Sequence, residues 1–529
     1  MAKKISLLDC TLRDGGYVNN WNFGNRTLTS VFNRLNESGV EIIEVGFLDE
    51  RQPFNIDRTI QPDAKGLSSA FSKTSEKKSM VLAMIDYGTC GIDYVQPKDE
   101  TRIDGIRLIF KKENMHNAVA FGKKIMSKGY KLFLQMVSIT SYDDKDVVEF
   151  CEAVNAIKPY GVAIVDTYGL MHKEQMFHYF EMLDKRLDGS IAVGYHSHNN
   201  FQLAYSNTIE MLNLKTERDL IVDGTLYGMG KSAGNAPTEL LAMHLNDNYG
   251  KGYDVGLILE AIDADILPIY KKYYWGYGLH FYISSKNECH PTYVEYLSNK
   301  KTLSIKAIDT ILGKISPEHK LKFNKEHIEG LYRNYLLGTV SDAAQIKALS
   351  NELKGKKVLL IGTGASVSED IKRIKAYITK ERPAVMSVNF IPEGIKVDYI
   401  FIRSAKRYGL MPNIDPKIKT IATSNITPIG EPFDYVIGYD RLITETGEML
   451  DNTLEIILNL LKTFGVDSVS LAGFDGFKED MRANYVDKTF DLHSDFEYLL
   501  KLNETHAEKI KEFRKEMKIE FLTRSLYEG

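Results

Sequence analysis

The chain has few cysteines: Cys10, Cys90, Cys151 and Cys289 are its 4 in 529 residues, and none forms a CxxC pair. This spacing excludes a disulfide framework and a zinc-knuckle pattern, so reduced thiols are expected. A strong charge of either sign is also absent, since 67 Lys and Arg face 71 Asp and Glu for a net charge of −4. Without a basic field, neither nucleic acid nor a membrane surface is an expected partner.

Long hydrophobic runs are missing as well. No apolar stretch approaches the ~20 residues that span a bilayer. The apolar run within the opening segment MAKKISLLDC is too short for a signal peptide. We therefore expect a cytoplasmic protein. Because single cores stop growing near ~250–300 residues, the length predicts at least two domains.

Eight short apolar runs alternate with longer amphipathic stretches in the first half of the chain. They cover residues 4–10, 40–48, 79–85, 103–110, 130–139, 160–166, 190–198 and 219–228. Several are continuous Val, Ile and Leu runs, which are typical of parallel strands buried on both faces. A doubly wound open sheet would give a similar alternation. Polar residues cluster at the carboxyl ends of the runs, however, and this favours a (β/α)8 TIM barrel over residues 1–248.

The rest of the chain is predicted to form two further parts. Residues 249–348 lack the alternation and look mostly helical, so we expect a helical extension packed on the barrel. Residues 349–529 begin with a strand, a glycine turn and a helix, and further strand candidates follow, which predicts a Rossmann-like α/β domain. The charged tail 506–529 is predicted to be helical.

Two polar segments predict a metal site at the barrel mouth. His196 and His198 are two residues apart at the end of a strand, so both imidazoles face the same side. Asp14 lies just beyond the first strand, which neighbours the second and the eighth in a closed barrel. Two histidines and one aspartate suit a divalent ion such as Mg2+ or Mn2+. Each segment alone has an ordinary structural interpretation, as cavity-lining histidines or as a turn with a salt bridge.

Five segments in order resemble the DRE-TIM metallolyases, the HMG-CoA lyase-like superfamily. The closest resemblance within it is to 4-hydroxy-2-oxovalerate aldolase-type catalytic domains. The segments are DCTLRDGG (9–16), EVGF (44–47), DTYG (166–169), GYHSHNN (194–200) and DGTLYGMGKSAGNAP (223–237). The resemblance implies an enzyme that stabilises a pyruvate-type enolate with a divalent metal and a fixed guanidinium.

Carried over residue by residue, the resemblance makes Asp14, His196 and His198 metal ligands, with Asn235 as a further ligand or a neighbour of one. Arg13 would face the substrate carbonyl or the developing enolate oxygen. Its ordinary structural role would be an ion pair with Glu44, and the two roles can coexist. Side chains at the carboxyl ends of other strands could contact the substrate or simply be satisfied barrel-end groups. With Glu44, the predicted substrate-binding set is Arg107, Gln135 and Thr167.

The sequence departs from the family pattern in two ways. One concerns the residue that carries the proton, and the other concerns the branch of the superfamily that the chain resembles. In the hydroxy-oxovalerate aldolases a histidine follows RDG, but Tyr17 stands there in this chain. Tyr17 could replace it, and Tyr282 or Tyr277 in the extension could supply the proton instead. The loop 223–237 has no cysteine, which argues against HMG-CoA lyase. The segment RDGGYVNNW also lacks the Glu–Gln start of acetyl-CoA-using synthases.

The second domain opens with LLIGTGASVSEDI, in which Gly362, Gly364 and Ser366 lie between a strand and a helix. Backbone amides at such a point can bind phosphate. Val367 replaces the third glycine of the dinucleotide fingerprint, so a tight turn without a ligand fits equally well. The wider pattern loosely resembles sialyltransferase-like nucleotide-binding domains. It implies a nucleotide or nucleotide-sugar, with phosphate contacts from Arg403, Lys406 and Arg407.

Together these features predict a divalent-metal-dependent aldolase or lyase that forms or cleaves a C–C bond through a pyruvate-type enolate. Its second substrate would be an aldehyde, such as a sugar or activated sugar in polysaccharide precursor biosynthesis. A homo-oligomer is expected. Two alternatives stay open at this point. One is a Claisen-type acyltransferase acting on acetyl-CoA and a 2-oxo acid, and the other is a non-catalytic barrel scaffold with a nucleotide-binding C-terminal module.

Overall fold

The computed structural model describes residues 3–300, 303–320, 322–336, 340–411, 413–442, 453–478, 484–487 and 496–528. The chain divides into two compact units, Met1–Pro291 and Thr292–Gly529. This division falls inside the predicted extension, so residues 249–291 belong to the first unit and residues 292–348 to the second. The predicted domain limits at 248 and 348 stay predictions.

The first unit is built around a closed barrel of eight parallel strands, with one short strand beside it. The strands are β1 (Ile5–Asp9), β2 (Ile42–Leu48), β3 (Ile60–Gln61), β4 (Met80–Asp86), β5 (Gly105–Phe110), β6 (Lys131–Met136), β7 (Gly161–Asp166), β8 (Ala192–Ser197) and β9 (Leu220–Gly224). Here β3 pairs only with β2, and β1 closes the barrel by pairing with both β2 and β9. Each of the eight predicted runs overlaps one barrel strand, so the TIM-barrel prediction is confirmed.

Helices follow the strands of this unit and continue beyond the barrel. They are α1 (Thr11–Asp14), α2 (Gly16–Asn19), α3 (Asn25–Glu37), α4 (Ala64–Ala70), α5 (Met115–Ser127), α6 (Asp144–Asn155), α7 (Lys173–Arg186), α8 (Ala204–Leu212), α9 (Thr238–Tyr249), α10 (Val255–Ala261), α11 (Leu267–Tyr270) and α12 (Leu279–Lys286). In α3, Leu28, Val31, Phe32 and Leu35 are buried; this helical spacing places them on one face toward the strands. The strands β1, β2, β7, β8 and β9 are buried throughout, as the continuous apolar runs predicted.

The second unit contains a seven-stranded parallel sheet in the order β14-β13-β12-β11-β10-β15-β16. Its strands are β10 (Lys357–Ile361), β11 (Ala384–Val388), β12 (Tyr399–Ile402), β13 (Lys419–Thr423), β14 (Tyr435–Ile437), β15 (Ser468–Ala472) and β16 (Lys518–Phe521). Its helices are α13 (Thr292–Asn299), α14 (Ile305–Leu312), α15 (Pro317–Lys320), α16 (Lys325–Leu336), α17 (Ala343–Leu353), α18 (Ser366–Glu369), α19 (Ile371–Glu381), α20 (Ala405–Tyr408), α21 (Thr453–Thr463) and α22 (Phe496–Phe513). The strand order reverses between β10 and β15, as in Rossmann-like folds, so this prediction is also confirmed.

The prediction of a wholly helical tail was wrong. The helix α22 ends at Phe513, and Lys518–Phe521 forms an edge strand that pairs with Ser468–Leu471. Four residues of an edge strand carry too little apolar alternation to stand out beside a long charged helix.

One carboxylate ties α17 to the sheet of the second unit. Glu352 accepts hydrogen bonds from Lys419 Nζ at 2.7 Å, from the Tyr399 hydroxyl at 2.7 Å and from the Tyr435 hydroxyl at 2.9 Å. Partial burial alone would raise the pKa of Glu352, but these bonds outweigh it and lower the pKa to about 2. Among the described residues, no helix has both the length and the apolar character of a membrane span.

Candidate active site

Three side chains converge at the carboxyl end of the barrel. Asp14, at the end of α1, and His196 and His198, at the end of β8, each offer one ligand atom, and these atoms lie within 4.8 Å of one another. All three side chains are buried. They meet because β9 alone separates β1 from β8 around the barrel. The predicted juxtaposition of Asp14 with the two histidines is therefore present.

The donor set fits a divalent metal ion. His198 Nδ1 lies 4.0 Å from Asp14 Oδ2, and two atoms that ligate one ion at about 2.1 Å can be at most about 4.2 Å apart. His198 Nδ1 is buried with no hydrogen-bond partner among the described residues, as a nitrogen reserved for a metal would be. Burial lowers the pKa of His198 to about 3, more than the nearby charge of Asp14 raises it. The imidazole is therefore neutral, which is the form that binds metals.

The pKa of Asp14 is held well below its usual range. Burial alone would raise it, but the positive charge of Arg13 and the hydrogen bond from Asn235 oppose burial. Arg13 Nη1 donates to Asp14 Oδ1, and Arg13 Nε donates to Glu44 Oε2 at 2.7 Å. Asp14 is thus a carboxylate at neutral pH, as a metal ligand must be. Arg13 therefore forms the ion pair with Glu44 that was predicted as its structural role.

A buried chain of charges lies behind the ligands. His196 Nδ1 is 2.9 Å from Asp223 Oδ2, at the end of β9. Arg107, on β5, joins Asp223 to Glu44 by donating from Nη2 to Asp223 and from Nη1 to Glu44 Oε2 at 2.9 Å. A carboxylate on the second ring nitrogen fixes the orientation of a ligating histidine. Asp223 therefore positions His196.

Sequence reasoning missed Asp223, although it lies within a quoted motif. The signal that could have found it is strand alternation, because Asp223 precedes the last residue of a barrel strand next to the strand that carries His196. Asp223 also belongs to a second group of residues whose possible ligand atoms lie close together, and the other two members are Cys10 and His196.

Of the four predicted substrate-binding residues, Gln135 and Thr167 lie at the carboxyl ends of β6 and β7, whereas Glu44 and Arg107 lie inside β2 and β5, so the strand-end prediction for Arg107 was wrong. Glu44 and Arg107 are buried against other charges, which gives them a positioning role in this structure. Gln135 is buried within β6. Thr167 Oγ1 accepts a hydrogen bond from the Ser138 amide at 2.7 Å. Their contact with a substrate stays a prediction.

The glycine-rich loop after β9 contacts Asp14, one of the candidate metal ligands. Asn235 Nδ2 donates to Asp14 Oδ2 at 2.5 Å, and the Lys231 amide donates to the same oxygen at 3.3 Å. A Cβ at Gly230 would lie 2.1 Å from Asn235 Nδ2 and 2.5 Å from Asp14 Oδ2. Only glycine allows so close an approach. Asn235 Oδ1 is buried without a hydrogen-bond partner among the described residues, as an oxygen that binds a metal ion would be.

Tyr17 lies at the rim of the same site. Its ring centroid is 4.7 Å from that of Trp21 and 6.2 Å from that of Phe47. Its side chain is 42% exposed, yet the surrounding protein desolvates the hydroxyl. This desolvation, with the nearby charge of Asp14, raises the pKa of Tyr17 to about 12. The phenol is therefore protonated at neutral pH and can donate a hydrogen bond.

The alternative tyrosines lie further along the first unit. The Tyr282 ring, on α12, is 5.8 Å from that of Phe201. Tyr277 is half exposed. Within residues 3–291, no hydrogen bond joins either tyrosine to Arg13 or to the three ligands. The helix α12 does contact the site through Ser285, since Asn200 Nδ2 donates to Ser285 Oγ at 2.5 Å and Asn200 Oδ1 accepts from the Ala233 amide at 3.0 Å.

In the second unit the turn after β10 already holds a carboxylate. The Ser366 amide donates to Asp475 Oδ2 at 2.9 Å, and its hydroxyl donates to Asp475 Oδ1. A Cβ at Gly364 would collide with the same carboxylate, and one at Gly362 with the Gly473 backbone. A phosphate bound here would have to displace Asp475. This geometry weighs against the predicted phosphate role of Gly362, Gly364 and Ser366.

Two of the three predicted phosphate-binding cations can be placed. Arg407 Nη1 donates to Thr363 Oγ1 at 3.3 Å, and Arg403 Nη1 donates to the Tyr439 hydroxyl at 3.4 Å. Burial lowers the pKa of Arg407, and the charge of Arg403 lowers it further, so the two guanidinium groups lie near each other. The side chain of Lys406 lies outside the described residues.

The fold and the site define a TIM-barrel enzyme with a buried group that can hold a divalent metal ion. Residues 4–264 match the HMGL-like family model, and over these residues the chain carries an HMGL-like domain. The chain is 28% identical over 267 residues to the 4-hydroxy-2-oxovalerate aldolase of Thermomicrobium roseum, covering 49% of this chain and 72% of that one. It is 25% identical over 264 residues to the oxaloacetate decarboxylase of Mycobacterium tuberculosis, covering 49% and 76%.

Among solved structures, the HMG-CoA lyase of Bacillus subtilis is 18% identical, with a TM-score of 0.41 over 52% of this chain and 96% of that one. The sheet topology of this chain itself defines the barrel. The family resemblance seen in the sequence motifs is confirmed, and the chain is an enzyme, a metal-dependent carbon–carbon lyase.

Proposed function

We propose that this enzyme is an aldolase that forms or cleaves a C–C bond next to a 2-oxo acid, with pyruvate as the shared product or substrate and Mn2+ or Mg2+ as its metal. The observation that carries the proposal is the convergence of Asp14, His196 and His198, with Arg13 held beside Asp14. A bound divalent ion would polarise a keto oxygen as a Lewis acid.

Arg13 is the residue best placed to meet the developing charge. Its Nε and Nη1 are used by Glu44 and Asp14, whereas its Nη2 is buried with no hydrogen-bond partner among the described residues. An unpaired buried donor costs free energy that a substrate oxygen would recover. We assign Nη2 to the enolate oxygen, because a fixed guanidinium stabilises negative charge as it forms.

Cleavage of a 4-hydroxy-2-oxo acid would break the bond between C3 and C4. The 4-hydroxyl loses its proton, the aldehyde leaves, and the enolate of pyruvate then takes a proton at C3. Tyr17 lies at the rim of the site and its phenol is protonated at neutral pH. We propose Tyr17 as the group that hydrogen-bonds to the aldehyde oxygen, and Tyr282 as the alternative.

A second candidate is the decarboxylation of oxaloacetate. One relative bears that name, and loss of CO2 leaves the same enolate without removing a proton from a hydroxyl. This reaction therefore does not need the histidine that Tyr17 replaces. The two candidates share the enolate and differ in the bond that breaks.

Exchange of the pyruvate methyl protons in deuterated water, followed by NMR, tests the shared step. We expect exchange with Mn2+ or Mg2+ that stops on chelation and falls at least 100-fold in Asp14→Asn and His198→Ala. The matched control is His116→Ala, an exposed histidine whose Nε2 lies 2.7 Å from Glu149 Oε1. No exchange by the wild-type enzyme with either metal would end the proposal.

Three further assays separate the alternatives. Release of CO2 from oxaloacetate without turnover of any aldehyde would favour the decarboxylase. Release of free thiol from acetyl-CoA on addition of a 2-oxo acid would favour a Claisen-type acyltransferase. Unchanged metal content and activity in His196→Ala would favour a non-catalytic scaffold.

For the second unit we propose binding of a nucleotide or nucleotide-sugar, and hence a sugar aldehyde as the partner in polysaccharide precursor biosynthesis. The support is the reversal of strand order between β10 and β15, where such sheets bind ligands, and the proximity of Arg403 and Arg407. A thermal-shift panel of nucleotides on the full chain tests this. We expect stabilisation that Arg407→Met removes, and no shift with any nucleotide would refute it.

We also propose a cytoplasmic homo-oligomer. The four cysteines are free thiols, which suits a reducing compartment. Tyr273, Tyr274 and Tyr277 are large exposed side chains of one segment, as at association surfaces. Light scattering of the purified chain measures the oligomeric state, and a monomer at micromolar concentration would contradict the second half of this proposal.

A further inference from the structure

Lys231 is fixed at the mouth of the barrel by its backbone. It lies in the glycine-rich loop after β9, and its amide donates to Asp14 Oδ2 at 3.3 Å. The preceding Gly230 has no room for a side chain, because Asn235 and Asp14 fill the space where its Cβ would be. The Lys231 side chain therefore begins within hydrogen-bond distance of a proposed metal ligand.

Within the part of the chain that the structure describes, the ammonium group of Lys231 forms no ion pair. Its Nζ lies 5.5 Å from the ring centroid of Tyr17. Among the described residues, no carboxylate oxygen is within 4.0 Å of it, although Arg13 and Arg107 nearby each contact two. Burial lowers the pKa of Lys231, while the more distant charges of Asp14 and Asp86 raise it. A partly desolvated cation without a partner favours binding of an anion.

The net charge of the groups around Lys231 would be positive once a metal ion is bound to Asp14. The pKa of His290 is lowered first by burial and then by the charges of Lys231 and Lys111, so these cations face the same region. Asp14 would be used by the metal, which leaves Asp86 as the nearby carboxylate. The pKa of Asp86 is raised by burial, and also by the charge of Asp49, against the pull of Lys111, Arg51 and Lys231; Asp49 is itself paired with Arg51.

We infer that Lys231 binds a carboxylate or phosphate group carried by the aldehyde substrate, at the end remote from the reacting carbonyl. This inference rests on the proposed aldolase function and names the class of its second substrate. Lys231 and Tyr17 form one wall of the mouth, with the cation over the ring that we assign to the aldehyde oxygen. The same wall would thus contact both ends of a short anionic aldehyde.

Direct binding tests the inference without turnover. Calorimetry on the metal-free full chain would compare glycerol 3-phosphate with glycerol, and 4-hydroxybutyrate with 1,4-butanediol. The first pair reports phosphate recognition and the second carboxylate recognition. We expect the charged member of at least one pair to bind about 10–100-fold more tightly. Lys231→Met should remove that preference, whereas Lys231→Arg should keep most of it.

Kinetics provide the second readout. The ratio of kcat/KM for succinic semialdehyde or glyceraldehyde 3-phosphate to that for propionaldehyde should fall about 10–100-fold in Lys231→Met. The matched control is Lys111→Met, which removes an exposed cation of the same region and should change the ratio less than about threefold.

Two results would overturn the inference. One is an unchanged ratio and unchanged charged-ligand affinity in Lys231→Met. The other is a rise in KM for pyruvate with no change in the ratio, which would assign Lys231 to the 2-oxo acid. A wild-type chain that fails to exchange pyruvate protons would refute the aldolase function instead, and the calorimetry would still decide whether Lys231 binds anions.

Discussion

Replacing Arg107 with methionine would remove the cation that links two buried carboxylates. Arg107 is 1% exposed and contacts Glu44 at 2.9 Å and also Asp223. After the substitution Glu44 keeps Arg13, at 2.7 Å, and Asp223 keeps His196, at 2.9 Å. Methionine has a similar length, so the main change is the loss of charge and of two hydrogen bonds.

The expected cost follows from these contacts. Breaking a buried ion pair by removing one partner costs about 3–5 kcal/mol, because the other charge stays buried. For a unit of this size, 1 kcal/mol corresponds to about 2–3 °C in Tm. We therefore expect the first unit of Arg107→Met to melt about 6–15 °C below the wild type. A divalent ion would offset part of the unpaired negative charge, so the metal-induced rise in Tm should be larger in the variant.

Tryptophan fluorescence is a suitable assay, because Trp21 and Trp275 are the 2 tryptophans of the chain and both lie in the first unit. Arg218→Met provides the control. Arg218 is also buried and contacts Asp184 and the Ile191 carbonyl at the amino end of β8. The Arg218→Met substitution should lower Tm while leaving the metal-induced rise in Tm the same as in the wild type. A variant of Arg107 that melts within 2 °C of the wild type, or that gains no more from metal than Arg218→Met, would refute the reasoning.

Three further outcomes are expected. Asp223→Asn should weaken metal binding about 10–100-fold in calorimetry, because the carboxylate orients His196; an affinity within twofold of wild type would contradict this. Gly230→Ala should abolish metal binding through its Cβ collisions, whereas Gly189→Ala, where a Cβ meets nothing within 4 Å, should not. Since the pKa of Glu352 is about 2 when folded and about 4.3 when unfolded, its stabilisation is present above pH ~4.5 and lost toward pH 2. Over that range the Glu352 interactions should account for a loss of about 1–3 kcal/mol in the free energy of unfolding, after discount for solvent screening. Unfolding followed by far-UV circular dichroism should therefore show a smaller loss in Glu352→Gln than in the wild type. Equal losses would exclude this role.

The barrel could be predicted from sequence because its strands are buried on both faces. Continuous apolar runs at β2, β4 and β7 distinguish such strands from amphipathic helices without any knowledge of contacts. The edge strand β16 could not be found in the same way, because it lies beside one neighbour and is too short to show a pattern.

The ligand pair His196 and His198 followed from strand alternation, a local property. The partners of those ligands did not, because they depend on distances across the barrel. Asp223 reaches His196 from the neighbouring strand, and Arg107 reaches Asp223 from a strand 116 residues earlier in the chain. The carboxylate of Asp475 at the Ser366 amide is another such contact, 109 residues away. A glycine turn alone cannot indicate that a side chain of the protein already fills it.

The pairing of β1 with both β2 and β9 has a consequence for how the enzyme acquires its metal. Asp14 follows β1, whereas His198 and Asn235 follow β8 and β9, so the proposed donor set straddles the seam where the barrel closes. An ion can be held tightly only after the two ends of a stretch of more than 200 residues have met. Metal uptake during refolding would therefore report the ring-closing step, and a ribosome-bound chain would stay metal-free until the eighth barrel strand had emerged.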